Sequence, residues 1–353
     1  AFHLIRGLVP RLLPRRDVRL YFRAHPEAED DASFLASVEG AELRVMPFPR
    51  LWTHVRLSRE MAQAPPDLLF VPSHVLPLVR PRRTLVTIHD LGYRHFPKAH
   101  PVSQRLYLEL STRWNAQVAT HVLADSEATR EDIVQTCGTS PEKISVVYPG
   151  YGRELAPVRD PEALAAIRTR YAIPGPYILF IGRIQPRKNL GRLIDAFGHI
   201  TADHPDITLV LAGPTGWMSE PIEARVRDLA LEARVRFPGY IAAEDKAGLI
   251  SGAEIVAYPS LYEGFGFPVL EAQACGTPVL TSNTSSLPEV AGEGALLVDP
   301  RDADAIAEGL ERLLADSALR WQLVARGYEN LTRFSWAKAA QQTERVIERL
   351  LAN

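Results

Sequence analysis

Short apolar runs alternate with amphipathic helical patterns along the 353 residues of this chain, and that alternation restricts the fold more than any other feature. Continuous apolar runs of this length are typical of strands that are buried on both faces. Strands that alternate with helices form parallel sheets. The sequence therefore predicts an α/β protein whose sheets are mostly parallel.

Each half of the chain is expected to hold about six strands, enough for one doubly wound domain apiece. In the first half the predicted strands are residues 18–23, 43–46, 68–71, 84–88, 121–125 and 144–148. In the second half they are residues 177–181, 207–212, 234–237, 255–258, 278–281 and 295–298. Helices are expected at residues 103–117, 126–135 and 336–351.

A chain of this length predicts two domains. The loop at 149–152 and the proline-rich stretch at 157–176 mark the hinge between them. We expect an N-terminal domain at 1–155, a second domain at 156–334 and a C-terminal helix at 335–353. The sequence alone does not place that helix, although packing against the first domain is one option.

Charge and cysteine content exclude some classes of partner and compartment. The net charge of −2 gives no indication of general nucleic-acid binding. The first 120 residues carry 17 Lys and Arg against 11 Asp and Glu, so this half is basic. Arginines at positions 6, 11, 15, 16, 80, 82 and 83 are candidates for peripheral contact with an anionic membrane, with solvated surface charge as the alternative.

Two cysteines favour a reducing, cytoplasmic setting. No apolar run is long enough to span a membrane.

The most informative motif is the stretch from Glu263 to Glu271, which reads Glu-Gly-Phe-Gly-Phe-Pro-Val-Leu-Glu. It follows the predicted strand at 255–258. Pro268 suits the start of a helix, and Gly276 suits its end. A helix that starts after a glycine turn presents free backbone N–H groups to an anion. Because carboxylates accept hydrogen bonds from hydroxyls but repel a bare phosphate, the motif predicts a site for a sugar attached to a nucleotide.

A second motif follows the predicted strand at 177–181. It reads Gly182-Arg183-Ile184-Gln185-Pro186-Arg187-Lys188-Asn189. Ligands of doubly wound folds bind at the carboxyl ends of the strands, where cations would neutralise a diphosphate and stabilise it as a leaving group. Only 5 of the 40 basic residues are lysines, so a lysine at this position is informative. A basic loop that merely caps a helix at Asn189 is the alternative.

His89 follows the predicted strand at 84–88 and could hydrogen-bond a sugar hydroxyl, or could be an ordinary turn histidine. His95 and His100 lie nearby, but their spacing matches no zinc site. Asp302 and Asp304 have the Asp-x-Asp form of some metal-dependent sugar transferases. Their place at a predicted helix start is explained by capping. We therefore expect no metal and no bound cofactor.

Taken together, these motifs make the chain similar to the retaining glycosyltransferases of family 4, which have the GT-B fold of two Rossmann-like domains facing across a cleft. The resemblance covers nearly the whole chain and is strongest at residues 177–300. Besides the two motifs above, it rests on matches at 87–90, 124–126, 146–150, 211–213 with Gly216-Trp217, 237–241, 282–290 and 298–300.

The resemblance implies a role for each matching residue. Arg183 and Lys188, with Gly182 beside them, would hold the diphosphate of a nucleoside-diphosphate sugar. Glu271 would accept from the ribose hydroxyls and Ile241 would meet the base. Glu263 would contact the donor sugar near the amides of Gly264, Phe265, Gly266 and Phe267, and His89 would reach that sugar from the other domain. On this view the catalytic residues are His89, Arg183, Lys188 and Glu263.

In that family a strand and a glycine-rich loop precede the first helix, and both are expected to be absent from this sequence. The resemblance implies transfer of mannose or glucose, with GDP-mannose as the first expected donor and a UDP-sugar such as UDP-glucose as the second. The acceptor would be a saccharide or a lipid-linked saccharide. A nucleotide-sugar 2-epimerase and a catalytically silent nucleotide-sugar-binding subunit are the alternatives.

Overall fold

The computed structural model describes residues 1–24, 34–73, 75–97, 101–152, 154–214 and 220–352. Gly216, Trp217 and His100, which the sequence singled out, lie outside these residues. The chain divides into two compact units. The first comprises Ala1–Arg94, His100–Gly150 and Phe334–Asn353, and the second comprises His95–Ala99 and Tyr151–Arg333.

The first unit is a parallel α/β unit with two sheets. Its strands are β1 (Arg19–Phe22), β2 (Glu42–Val45), β3 (Leu68–Val71), β4 (Arg83–Ile88), β5 (His121–Ala124) and β6 (Ile144–Val146). Strands β1 and β2 pair with each other, whereas β3 to β6 form a four-stranded parallel sheet in chain order. The six strands predicted for this half are thus divided between two sheets, a separation that local patterns do not reveal.

Helices cover both faces of the four-stranded sheet. They are α1 (Phe2–Leu12), α2 (Ser58–Gln63), α3 (Gly92–His95), α4 (Val102–Val118), α5 (Glu127–Cys137) and, from the end of the chain, α14 (Trp336–Ala352). A π-helical segment, Trp52–Leu57, leads into α2. Leu85 of β4 packs with α1 and α14 on one face, and its neighbour Val86 packs into the separate core on the other. Alternate strand residues point to opposite faces, so one strand supplies both cores.

The C-terminal helix α14 packs against α1 within the first unit. Its ion pairs involve two of the arginines for which the sequence left membrane contact and surface charge as alternatives. Arg11 Nε lies 2.6 Å from Glu344 Oε2, and Arg16 Nη2 lies 2.7 Å from Glu348 Oε2. These two arginines therefore neutralise carboxylates of the same unit, which is the surface-charge alternative.

The second unit has one six-stranded parallel sheet flanked by helices. Its strands are β7 (Tyr177–Ile181), β8 (Thr208–Ala212), β9 (Val235–Gly239), β10 (Ile255–Tyr258), β11 (Val279–Ser282) and β12 (Leu296–Val298). Its helices are α6 (Pro161–Arg170), α7 (Leu190–Ile200), α8 (Glu220–Asp228), α9 (Ala243–Ser251), α10 (Phe267–Ala274), α11 (Leu287–Ala291), α12 (Ala303–Ala315) and α13 (Ser317–Leu331). Every residue of β7, β8, β10 and β11 is buried, as expected for a sheet covered on both faces.

The strand order of this sheet is β12-β11-β10-β7-β8-β9. From β7 the chain winds outward through β8 to β9, and then returns to β10 on the other side of β7. The direction of winding therefore reverses between β7 and β10, which pair directly in parallel. Ligands of open α/β sheets bind at such a switch point, beyond the carboxyl ends of the strands. The predicted α/β class with parallel sheets is confirmed.

Among the helices of the described residues, none combines the length and the apolar character that a membrane crossing needs. Cys137 and Cys275 are both buried and unbonded to each other.

Stability of the first unit is expected to fall in mild acid because of His121. The ring lies buried on β5, where Nε2 is 2.8 Å from Ser145 Oγ and 3.2 Å from Arg349 of α14. Burial, followed by the charges of Arg349 and Lys143, lowers the pKa of His121 from 6.5 to about 4. The unfolded chain therefore takes up this proton first, and stability is lost as the pH falls from 6.5 towards 4, by on the order of 3 kcal/mol.

His121→Gln removes the titrating group, so we expect a flatter dependence of stability on pH across this window. Amide hydrogen exchange of β5 between pH 4 and 7 would measure it. The same acid loss in the parent protein and in the variant would contradict the assignment to His121.

Candidate active site

The candidate site lies beyond the carboxyl ends of β7 and β10 in the second unit. From β7 the chain turns at Gly182 and passes through a 3₁₀ turn, Pro186–Lys188, into α7. From β10 it runs through Glu263 and a glycine turn into α10. Because β7 and β10 are neighbours, the two predicted motifs meet at one edge of the sheet.

Gly182 and Gly213 allow the backbones beyond β7 and β8 to approach closely. A Cβ added to Gly213 would lie 2.1 Å from the carbonyl oxygen of Gly182, and the φ angle of Gly213 is +138°. Only glycine avoids that clash and adopts this backbone conformation readily. This close approach sets the path of the chain into the cationic loop that follows.

Two helix N-termini open at this edge without a side-chain cap. The residue before α10 is Gly266, whose φ is +109°, and the residue before α7 is Asn189, whose φ is +63°. Pro268 occupies the first turn of α10, as predicted. The first N–H groups of a helix have no partners within it, and they carry a partial positive charge that favours an anion.

Among the lysines and arginines that the structure describes, Lys188 is the best buried, with 5% of its surface exposed. Its ammonium donates to Glu263 Oε1 at 2.5 Å and to the hydroxyl of Tyr258, and it lies 4.8 Å from the centroid of the Tyr258 ring. A buried ammonium is stable only when it is paired and hydrogen-bonded, so Glu263 and Tyr258 hold this charge in place.

Glu263 accepts from a second cation. Arg187 Nη1 donates to Glu263 Oε2 at 2.8 Å and to the carbonyl oxygen of Tyr262 at 3.1 Å. The two oxygens of one carboxylate thus bind two different cations. Arg187 was quoted in the sequence motif but given no role, and its position one residue before Lys188 is the signal that could have identified it.

Tyr258 is the last residue of β10 and is fully buried. Burial, together with the charge of Glu263, raises the pKa of its phenol well above the ordinary value. The phenol is therefore protonated, and its hydroxyl donates to Glu263 Oε1 at 3.1 Å while its oxygen accepts from Lys188. Sequence reasoning took Tyr258 for an apolar strand residue and missed this contact.

Serines of the loop after β11 hold the glycine turn. Ser285 Oγ accepts from the backbone N–H of Glu263 at 3.1 Å. Ser286 Oγ donates to the carbonyl oxygens of Glu263 and Phe265 at 2.9 and 2.7 Å. The turn is thus fixed from β11 as well as from its own strand. Sequence analysis placed both serines in a matching stretch but assigned them no function.

Arg183 is exposed, and within the described residues its side chain has no hydrogen bond or ion pair. With Arg187 and Lys188 it makes three cations against one carboxylate, Glu263. Among these four side chains the positive charges exceed the negative by two. That number matches the two negative charges of a diphosphate diester.

The other predicted binding residues lie around the same strand ends. Glu271 of α10 is paired with Lys246 of α9, at 2.6 Å between Oε1 and Nζ. Ile241 is buried between β9 and α9. Phe265 is buried and packs edge-on against Phe267, which is exposed. The ion pair gives Glu271 a protein partner that the sequence did not suggest.

His89 belongs to the first unit, where it follows β4. Its Nδ1 lies 2.6 Å from Asp125 Oδ2, and its Nε2 lies 3.3 Å from the carbonyl oxygen of Pro72. Burial lowers the pKa of His89, but the hydrogen bond and the charge of Asp125 outweigh it, so its pKa is raised overall. Asp125 therefore favours the form in which both ring nitrogens donate.

Asp302 is the N-cap of α12, and its carboxylate accepts from the backbone N–H groups of Asp304 and Ala305. This is the capping role expected from the sequence. Within the part of the chain that the structure describes, no group of three or more His, Cys, Asp or Glu side chains is placed to hold a metal ion.

Removal of the Glu263 charge should destabilise the second unit, because Lys188 would remain buried without a counter-charge. We expect Glu263→Gln to lower the free energy of unfolding by about 3 kcal/mol. In the control, Glu271→Gln, the cation Lys246 is partly exposed, and the loss should stay below about 1 kcal/mol. Urea unfolding measures both.

The double variant Lys188→Met/Glu263→Gln removes both charges and should recover part of the loss. Equal losses in Glu263→Gln and Glu271→Gln would show that the Lys188–Glu263 pair has no special weight.

Comparison with known proteins identifies the family. Residues 167–330 match the family described as glycosyl transferases group 1, and residues 5–154 match glycosyltransferase family 4. The O-antigen chain mannosyltransferase B of Escherichia coli is 33% identical over 273 residues, covering 77% of this chain and 71% of that protein. The D-inositol 3-phosphate glycosyltransferase of Corynebacterium glutamicum (strain R) is 31% identical over 287 residues, covering 79% and 68%.

The fold is similar to that of solved glycosyltransferases. The structure of HepE from Anabaena in complex with UDP and glucose matches with a TM-score of 0.75 at 18% identity, covering 98% of this chain and 94% of that one. The predicted GT-B fold is thereby confirmed. The chain belongs to glycosyltransferase family 4.

Proposed function

We propose that this protein is a retaining, metal-independent hexosyltransferase that moves mannose from GDP-mannose to a saccharide or a lipid-linked saccharide. One observation carries the proposal: Arg187 and Lys188 bind the carboxylate of Glu263 at the switch point of the second sheet, between two uncapped helix N-termini, and Arg183 is exposed in the same loop after β7. That arrangement suits a diphosphate attached to a sugar.

Mannose is favoured because the Escherichia coli relative is named a mannosyltransferase that acts on an O-antigen chain. Glucose from UDP-glucose is the second candidate. The HepE structure contains UDP and glucose, but at 18% identity it supports the fold only.

The cations would act on the leaving group. Arg183 and Lys188 would bind the diphosphate of the donor and stabilise the charge that develops there as the bond to the sugar breaks. Arg187 would hold the carboxylate of Glu263 on its other side. The N–H groups of Gly264 to Phe267, at the start of α10, would add to the same positive field.

Glu263 would bind the donor sugar rather than attack it. A carboxylate that already accepts from an ammonium and a guanidinium is a weak nucleophile, because both cations stabilise its ground state. Attack by the acceptor on the face that the diphosphate leaves, assisted by that phosphate, needs no protein nucleophile. It would keep the anomeric configuration of the sugar.

His89 would donate to a hydroxyl of the donor sugar, with Asp125 fixing its ring. Glu271 would accept from the ribose hydroxyls while paired with Lys246, since one carboxylate accepts several hydrogen bonds. Ile241 would lie against the base. The first unit would provide the acceptor side and would contact a membrane peripherally. The protein would be cytoplasmic and would bind no nucleic acid.

Substitution of the cations should separate binding from turnover. Arg183→Ala is expected to weaken donor binding roughly tenfold and to leave the unfolding midpoint unchanged, because this exposed side chain has no partner among the described residues. Lys188→Met should lower kcat roughly 10²-fold or more, through the loss of a buried stabilising charge. Isothermal titration and steady-state kinetics measure the two effects.

Arg227→Ala, which removes an exposed cation of α8 elsewhere in the same unit, is the matched control and should change neither. If it weakened donor binding as much as Arg183→Ala, the effect would be one of net charge and not of the site.

Donor identity and metal independence are tested together in buffer that contains EDTA. Because a bound ligand raises the unfolding midpoint by mass action, GDP-mannose should raise it more than UDP-glucose or ADP-glucose, and EDTA should not remove the shift. An NMR assay of the transferred sugar should show a retained anomeric configuration. Strict dependence of transfer on a divalent cation would contradict the proposal, and release of an epimerised sugar nucleotide would indicate the epimerase.

A further inference from the structure

We propose that the first unit docks onto an anionic bilayer surface through helix α4 and the two segments that contact it. This extends the membrane contact proposed above to a defined face of the protein. It does not depend on the donor site, which lies in the other unit.

Helix α4 carries an exposed apolar stripe. Val102, Leu106 and Leu110 are spaced four residues apart, so they lie on one side of the helix. Their exposed fractions are 72%, 56% and 60%, and Tyr107 beside them is also exposed. The opposite side of α4 is buried through Thr112, Asn115 and Ala116. The stripe is therefore a surface feature and is not needed to hold the helix on its sheet.

Two neighbouring segments continue the stripe. The ring of His54 in the π-helical segment packs edge-on against Tyr107, with 3.1 Å between Nε2 and Oη, and Leu51 and Val55 of that region are exposed. Trp114 follows Leu110 at the same spacing of four residues, and the guanidinium of Arg80 lies 5.3 Å from the centroid of its ring. Leu78 and Val79, which precede Arg80, are exposed as well.

Exposed apolar side chains are concentrated on this face. It holds 8 of the 17 large hydrophobic residues that are exposed in the described part of the chain. Singly scattered apolar residues need no explanation, but a continuous apolar surface of this kind marks a contact with a membrane or a partner.

The charge of the same segments selects an anionic surface. Residues 50–60, 78–83 and 101–113 contain eight arginines and two glutamates. Both glutamates are already neutralised inside the unit. Glu60 pairs with Arg44 and Arg56, and Glu109 pairs with Arg94 and Arg113.

Leucines, an aromatic ring and surrounding arginines form the pattern of a face that lies in a bilayer interface. Arginines near an anionic leaflet are attracted to it, and salt screens that attraction. Arg56 and Arg113 are two of the eight arginines and take part in the ion pairs of Glu60 and Glu109, so the three segments keep an excess of six positive charges. A second copy of this chain would bring that excess against an equal one. The charge therefore favours a lipid surface over self-association.

Flotation of the whole chain with vesicles tests the proposal. We expect binding to vesicles of equimolar phosphatidylcholine and phosphatidylglycerol, little binding to pure phosphatidylcholine, and weaker binding as salt is raised. The pair Leu106→Ser/Leu110→Ser should weaken binding roughly tenfold or more, because both side chains lose the apolar surface that they would bury. Both are exposed in the fold, so the variant should unfold at the same midpoint as the parent protein.

Trp321→Ser is the control, since Trp321 is 75% exposed but lies on α13 of the second unit; it should bind like the parent protein. Absence of binding to phosphatidylglycerol vesicles, or equal binding by the double serine variant, would overturn the proposal. Self-association in sedimentation that the same two serines abolish would overturn it as well, and would identify a dimer interface. The midpoint shift caused by sugar nucleotides is unaffected by these substitutions, so failure here leaves the proposed transferase function standing.

Discussion

The buried ion pair between Lys188 and Glu263 is the interaction on which the candidate site depends. It joins the loop after β7 to the loop after β10, and these strands are neighbours only because the sheet reverses its winding between them. Tyr258 closes the arrangement from the end of β10, and Arg187 occupies the other oxygen of the carboxylate. Topology thus brings the charges together, and the charges fix the two loops that lead into α7 and α10.

Local pattern was sufficient for the elements that are buried on both faces. The strands at 177–181 and 255–258 lie at the positions expected from the sequence, because each is an uninterrupted apolar run between polar or glycine-containing turns. The helix predicted at 126–135 begins one residue later, since Ser126 is its N-cap and accepts from the N–H of Thr129. Ends set by non-local hydrogen bonds were less accurate: the strand at 144–148 was expected to be two residues longer than β6.

Pairing between distant residues could not be predicted. Sequence analysis selected Lys188 and Glu263 separately as ligand contacts, but they are 75 residues apart and nothing local indicates that they bind each other. The same holds for Glu271 with Lys246 and for Arg11 with Glu344 of the C-terminal helix. In each case the residue type was informative, whereas the partner depends on which strand lies beside which. Tyr258 shows the converse, since its apolar context concealed a hydroxyl that the fold places between two charges.

A carboxylate in the proposed diphosphate site looks unfavourable until its cations are counted. Removing Lys188 and Glu263 from water costs several kcal/mol per ion, so a pair of well-packed apolar residues would serve stability at least as well. The geometry is better explained by what the pair does for a ligand. Without a ligand, the carboxylate of Glu263 holds the ammonium of Lys188 at the strand end. Because it also binds the guanidinium of Arg187, it reduces the repulsion between these two cations. In the proposed function, the positive charge of these side chains would face the diphosphate, and the carboxylate, already positioned, would accept from the hydroxyls of the attached sugar.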